Sequence, residues 1–224
     1  MPPLLLRAQR VPVVLLGCAL GTSLNSQPAR ALLTTNTAGF GNPVVSANFN
    51  PIPGNTSSGG PLTFLTPNNH EVIFTSSSTS ALINFTGPYN FSPNSDWNNL
   101  PMAGTNDLNT SIDFTFNGFQ AKGVGGLLNY TPTTPDLMTI SALDVNGVIL
   151  ETHNLSFTTA GINQGANYYI QRPQADIATF RIEKNYAGLA YFTYDAPPVP
   201  GPLPLLGASI AFLHSRNLRK RLQG

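Results

Sequence analysis

Between residues 112 and 117 apolar and polar side chains alternate without a break: Ile112, Phe114 and Phe116 against Asp113, Thr115 and Asn117. A period of two puts successive side chains on opposite faces of an extended chain, so this segment buries one face only as a strand. Ala178, Phe180 and Ile182 alternate in the same way with Thr179, Arg181 and Glu183, as do Ala81, Ile83 and Phe85 with Leu82, Asn84 and Thr86. Glu71 to Ser76 and Leu189 to Tyr194 are further β-branched or aromatic runs. Within Ala142 to Leu150, Val145 and Val148 flank Asn146-Gly147, which predicts a hairpin closed by a two-residue type I′ turn.

Helical periodicity is scarce between Leu32 and Pro200, and the connections Asn50 to Pro61, Thr86 to Asn106 and Thr131 to Pro135 are rich in Gly, Pro, Asn and Ser. Eight to ten short strands joined this way predict an all-β domain over 32–195, an antiparallel two-sheet sandwich. Its expected core is aromatic: Phe74, Phe85, Phe114, Phe116, Phe119, Phe180, Phe192 and Tyr194. Residues 32 to about 60 are patterned more weakly and read as a peripheral strand or arm. Burying half a dozen rings at roughly 2 kcal/mol each offsets much of the ordering entropy, so a chain of this length needs no disulfides.

Charge is distributed unevenly. Eleven Lys and Arg nearly balance ten Asp and Glu, but Arg7, Arg10 and Arg30 precede the body and Arg216, Arg219, Lys220 and Arg221 follow it. The body holds four basic residues against all ten acidic ones, a net of −6, which excludes a basic nucleic-acid binder. At the start, Arg7 and Arg10 precede the apolar run Val11 to Leu20, and Ala29-Arg30-Ala31 supplies a small-x-small cleavage site. Residues 1–31 therefore read as a signal peptide that engages an export translocase. Leu15-Leu16-Gly17-Cys18 is similar to a lipoprotein processing site, which would instead leave Cys18 lipidated.

At the other end, residues 196–204 read APPVPGPLP, a stiff proline-rich spacer. Leu205 to Leu213 is apolar, and the basic cluster Arg216, Arg219, Lys220 and Arg221 closes the chain. From Pro202 to Leu213 a helix would extend about 18 Å against a hydrocarbon core of roughly 30 Å, and reaching Leu218 would extend it to about 25 Å. This reads as a membrane-proximal, helix-like tail with its basic end in the cytoplasm.

Val199-Pro200-Gly201-Pro202, the apolar run and the arginine cluster together resemble a PEP-CTERM sorting tail over 199–224, in the VPGPLPLLG form found among photosynthetic bacteria. Gly201 stands where that family usually has Glu. The resemblance implies export, transient anchoring in the inner membrane, processing by an exosortase-like membrane protease, and transfer to the cell surface or extracellular matrix. The stretch from Phe119 through LDVNGVIL to IATFRIEKNYAGLAYFTYDA resembles the jelly-roll-like bodies found ahead of such tails, which are similar to carbohydrate-binding modules.

Catalytic patterns are scarce. His70 and His153 lie in no metal-ligand spacing, no GxSxG or SxxK string occurs, and no cofactor is expected. Gly123-Val124-Gly125-Gly126 lacks the lysine and helix of a phosphate loop and reads as close backbone packing or a bulge. Glu71, Asp113, Asp144, Glu151 and Asp176 are the carboxylates from which a glycosidase pair would be drawn, Asp113 pointing outward. Asp144 and Asn146 offer a few oxygens for calcium, far short of a full ligand set. Tyr89, Trp97, Tyr168 and Tyr169, in or near loops with amides beside them, are the candidate glycan contacts. The expectation is an exported, non-catalytic surface or matrix protein with polysaccharide as its partner; the alternatives are a secreted carbohydrate-binding module and a secreted glycan hydrolase.

Overall fold

The structure, a computed structural model, describes residues 32–40, 44–49, 52–132 and 137–195. Residues 1–31 with Cys18, and 196–224 with Val199 to Pro202 and the cluster Arg216 to Arg221, lie outside the described residues, and with them the expected signal peptide, spacer and sorting tail.

Fourteen strands form within the described residues, more than the eight to ten expected. They are β1 (Leu32–Thr34), β2 (Val44–Ala47), β3 (Thr56–Ser57), β4 (Leu62–Leu65), β5 (Glu71–Ser76), β6 (Leu82–Phe85), β7 (Met102–Gly104), β8 (Ser111–Phe116), β9 (Gly123–Asn129), β10 (Met138–Leu143), β11 (Ile149–Leu155), β12 (Ala166–Gln171), β13 (Thr179–Glu183) and β14 (Gly188–Asp195). They make two antiparallel sheets, a sandwich consistent with a jelly roll. One sheet runs β11-β10-β13-β8-β5-β4; the other runs β1-β12-β9-β14-β7-β6-β3, with β2 also paired to β14.

The alternation read from sequence sets the six-stranded sheet. Phe74, Phe114 and Phe180 stand in register on β5, β8 and β13 and all point inward. Phe192 of the facing sheet stacks on Phe114 at 4.8 Å between ring centres. On the outer face the same register sets Asp113 beside Arg181, whose Nε and Nη2 each donate to the carboxylate at 2.7 Å.

The eight-stranded sheet is the less regular of the two in sequence, and three places in it decide the outcome. Of the two alternatives for the first segment, residues 44–49 take the strand: Val45, Ala47 and Phe49 alternate inward and Phe49 packs edge-on against Phe64. Tyr168 and Tyr169 lie within β12 and not in a loop. The glycine run is strand β9, and its close packing is real: Tyr191 and Phe192 together oppose Gly126, a bulge at which Tyr191 takes φ 51°. The extra residue reverses the parity of β14, so Leu189, Phe192 and Tyr194 all face the core while Tyr191 faces solvent.

The β10–β11 hairpin corrects the turn expectation. Only Gly147 takes positive φ; its N–H donates to the Asp144 carbonyl at 3.1 Å and the Asp144 N–H donates to Val148 O at 2.9 Å. That is a type I turn followed by a glycine bulge, because the Asp144 carboxylate accepts from Asn146 N and Val148 N at 2.8 Å each and stabilises the right-handed start.

Phe85 also departs from the expected core. A shift in the β6–β7 register turns it out of the central cluster, and it packs half-buried on a second cluster formed by Phe91, Trp97, Leu100, Met102 and Ala190.

Candidate functional site

That second cluster lies on the outer face of the eight-stranded sheet. Ala103 and Leu189 point into the sandwich, so their neighbours Met102 and Ala190 point away from it, and the loop from Thr86 to Leu100 folds over them. Trp97 and Phe91 close on Gly188, where any side chain would meet both rings. Trp97 has no solvent exposure, and burying a ring of that size contributes about 3 kcal/mol. Its indole is therefore a keystone beneath the loop and offers no flat face to a sugar.

A second loop, between β11 and β12, is stitched to the first. Trp97 Nε1 and Ser95 Oγ both donate to the Gln164 carbonyl at 2.6 Å. Asn163 clamps Asn98 from both sides: its Oδ1 accepts from Asn98 N at 2.7 Å and its Nδ2 donates to Asn98 O at 2.9 Å. Asn94, buried, donates to Tyr130 O at 3.0 Å and accepts from Thr159 N at 3.1 Å. Asn163 takes φ 58°, which asparagine tolerates better than other branched or bulky residues.

Two adjoining grooves open on this loop layer. One, of about 320 Å³, is lined by Pro88, Tyr89, Asn90, Asp96, Trp97, Asn98 and Ile162. The other, of about 350 Å³, shares Asn90 and Asp96 with it and continues along Ser92 to Ser95 and Thr159 to Gly161. Both volumes lie in the range of small-molecule sites. The apolar part of the first groove is Pro88, the half-buried Tyr89 and Ile162, which is 69% exposed. Tyr89 is held by hydrogen bonds of 3.3 Å from its hydroxyl to Thr105 O and Asn106 Oδ1, and burial raises its pKa well above the usual phenol value. The carboxylate of Asp96 and the side-chain amide of Asn98 are exposed and make no hydrogen bond within the described residues.

The four aromatic candidates thus part company. Tyr89 and Trp97 come together across an antiparallel bridge, one at the groove wall and one beneath it. Tyr168 packs on Phe157 toward the sandwich core, and Tyr169 lies under Phe40 on the opposite face. Ile162 and Asn163 were not singled out by sequence; only an Asn-Gln-Gly turn signal marks their loop.

Among the described residues Asp96 is the single carboxylate lining these grooves, so they bring no second carboxylate beside it for glycoside hydrolysis. Of the five expected carboxylates, Asp113 pairs with Arg181 and Asp176 with Arg172, Glu151 lies 3.2 Å from His153, and Glu71 accepts from Asn117. Asp144 and Asn146 sit in the hairpin turn, and one Asp144 oxygen is occupied by two backbone N–H groups. Those bonds, Val148 N first, hold the Asp144 carboxyl below its usual pKa. A third opening, about 490 Å³, is lined by Phe116, Phe119, Val145, Ala175 and Ala178 with Gly118 and Gln120, none of them charged.

Neither a protein-family model, nor a curated protein, nor a solved structure matches the chain.

Proposed function

We propose that this chain is an exported, non-catalytic protein of the bacterial surface or extracellular matrix, delivered by a PEP-CTERM-like route and working in contact with polysaccharide. The observation that carries the reading is the separation of charge. All seven Lys and Arg outside the acidic body lie in the two terminal segments that carry the apolar runs, and the body nets −6. Basic, apolar ends suit an export translocase and an exosortase-like membrane protease; an amide-rich, weakly charged sandwich suits a hydrated matrix. Residues 1–31 act as the export signal and Val199 to Pro202 as the sorting motif, with Arg216, Arg219, Lys220 and Arg221 holding the tail at the cytoplasmic leaflet. The second reading, a carbohydrate-binding module, is favoured by the paired grooves and shares the same destination.

Deleting 199–224 tests the route. The full chain is expected in the envelope or surface fraction and the truncated chain free in the periplasm or medium. Finding both in the cytoplasm would overturn the proposal.

A further inference from the structure

We infer that the two grooves on the outer loop layer form one binding site for a neutral polysaccharide, read by Asp96 and Asn98 against an apolar wall of Pro88, Tyr89 and Ile162. The inference rests on the polysaccharide-contacting reading above and names its site and ligand class.

Three features define the ligand. The grooves adjoin through Asn90 and Asp96, so the site is longer than a single pocket and suits consecutive sugars of a chain. Their exposed polar side chains, Asn90, Ser92, Asp96 and Asn98, are amides, a hydroxyl and one carboxylate, the set that matches sugar hydroxyls as both donors and acceptors. Pro88, Tyr89 and Ile162 supply a surface for the C–H face of a pyranose, and the 69% exposure of Ile162 gains a purpose there. Charge then selects among glycans. Among the described residues no Lys or Arg lines either groove, and Asp96 adds a negative charge to an acidic body. Uronate or sulfate polymers are repelled, and neutral polymers are not.

The site is also set before any ligand arrives. Asn98 is fixed by Asn163, Asp96 O accepts from Asn163 N at 2.8 Å, and Trp97 between them is anchored on Gln164. Little loop ordering remains to oppose binding.

Affinity electrophoresis of the purified full chain tests this, in native gels carrying a neutral glucan, a neutral mannan or alginate. Retardation is expected in at least one neutral gel and not in alginate. Asp96→Ala and Asn98→Ala should each weaken it about tenfold, the effect of one lost hydrogen bond of charged or strong type. Ile162→Asp should weaken it as well, and Val145→Ala, at the distant hairpin tip, should leave it unchanged. Migration unaltered by both neutral polymers, retardation by alginate equal to theirs, or Asp96 and Asn98 variants that bind like Val145→Ala would each overturn the inference. The outcome is separable from the export route. A chain kept intact in the cytoplasm that still binds through Asp96 refutes only the route, and an exported chain that no neutral gel retards refutes only the site.

Discussion

Trp97 and Gln164 stand 67 residues apart in sequence and are joined by a 2.6 Å hydrogen bond from the indole Nε1 to the backbone carbonyl. This bond ties the two loops of the outer layer together. Trp97→Phe is expected to cost about 1–2 kcal/mol, since Ser95 Oγ still satisfies the carbonyl, and Trp97→Ala about 3–5 kcal/mol. Urea unfolding monitored by circular dichroism measures both. Because the chain has one tryptophan, its emission should be blue-shifted and poorly quenched by iodide; strong quenching would contradict the burial.

The glycines of β9 separate close packing from backbone freedom. A Cβ on Gly125 would run into the Tyr168 carbonyl and Tyr169 Cα, so Gly125→Ala should destabilise the fold by about 1–3 kcal/mol. Gly147 has open space around it but φ +77°, so Gly147→Ala should cost only about 1 kcal/mol. Thermal unfolding of the two variants side by side checks the order.

Arg172 and Asp176 form a bidentate pair at 2.7–2.8 Å, and Arg172 Nη1 also donates to Leu150 O of β11 at 3.5 Å. The Arg172 guanidinium holds the Asp176 carboxyl below its usual pKa. The stability this contributes is complete above the unfolded carboxylate value of about 4 and is lost as pH falls through the folded value. Asp176→Asn should therefore cost about 1–2 kcal/mol at pH 7 and progressively less in acid. Urea midpoints at pH 7 and pH 3 test the convergence.

His70 works in the same direction for a different reason. The Tyr194 hydroxyl lies 2.7 Å from Thr66 Oγ1 and 3.1 Å from His70 Nδ1. Burial lowers the His70 pKa and raises that of Tyr194. The unfolded chain takes up a proton near pH 6.5 before the folded one does, so stability is full above that value and declines as pH falls through the folded value. His70→Gln should flatten the dependence between pH 7.5 and pH 5, measured by urea midpoints.

The clearest period in sequence belongs to β5, β8 and β13 of the six-stranded sheet, because one face is core and the other partly exposed, and residues such as Phe114 and Asp113 declare the difference. In β12, Tyr168 enters the core and Tyr169 is covered by Phe40, so both faces are apolar and the alternation vanishes. In β9, Gly123 and Gly125 lie beneath Phe40 and Tyr169, and a strand without side chains carries no period. The bulge at Tyr191 broke the parity of β14 in a way that a strict period of two could not follow. The site was half legible. Tyr89 and the surrounding amides were marked by composition, but Ile162 and Asn163 reach them only through tertiary contact.

Intact mass of the protein recovered from the envelope and extracellular fractions tests the account most directly. The proposal predicts a chain that has lost the signal segment ending at Ala31 and, in the surface-released form, the residues beyond the Val199 to Pro202 motif. A full-length species beginning at Met1 and recovered entirely from the cytoplasm would contradict it.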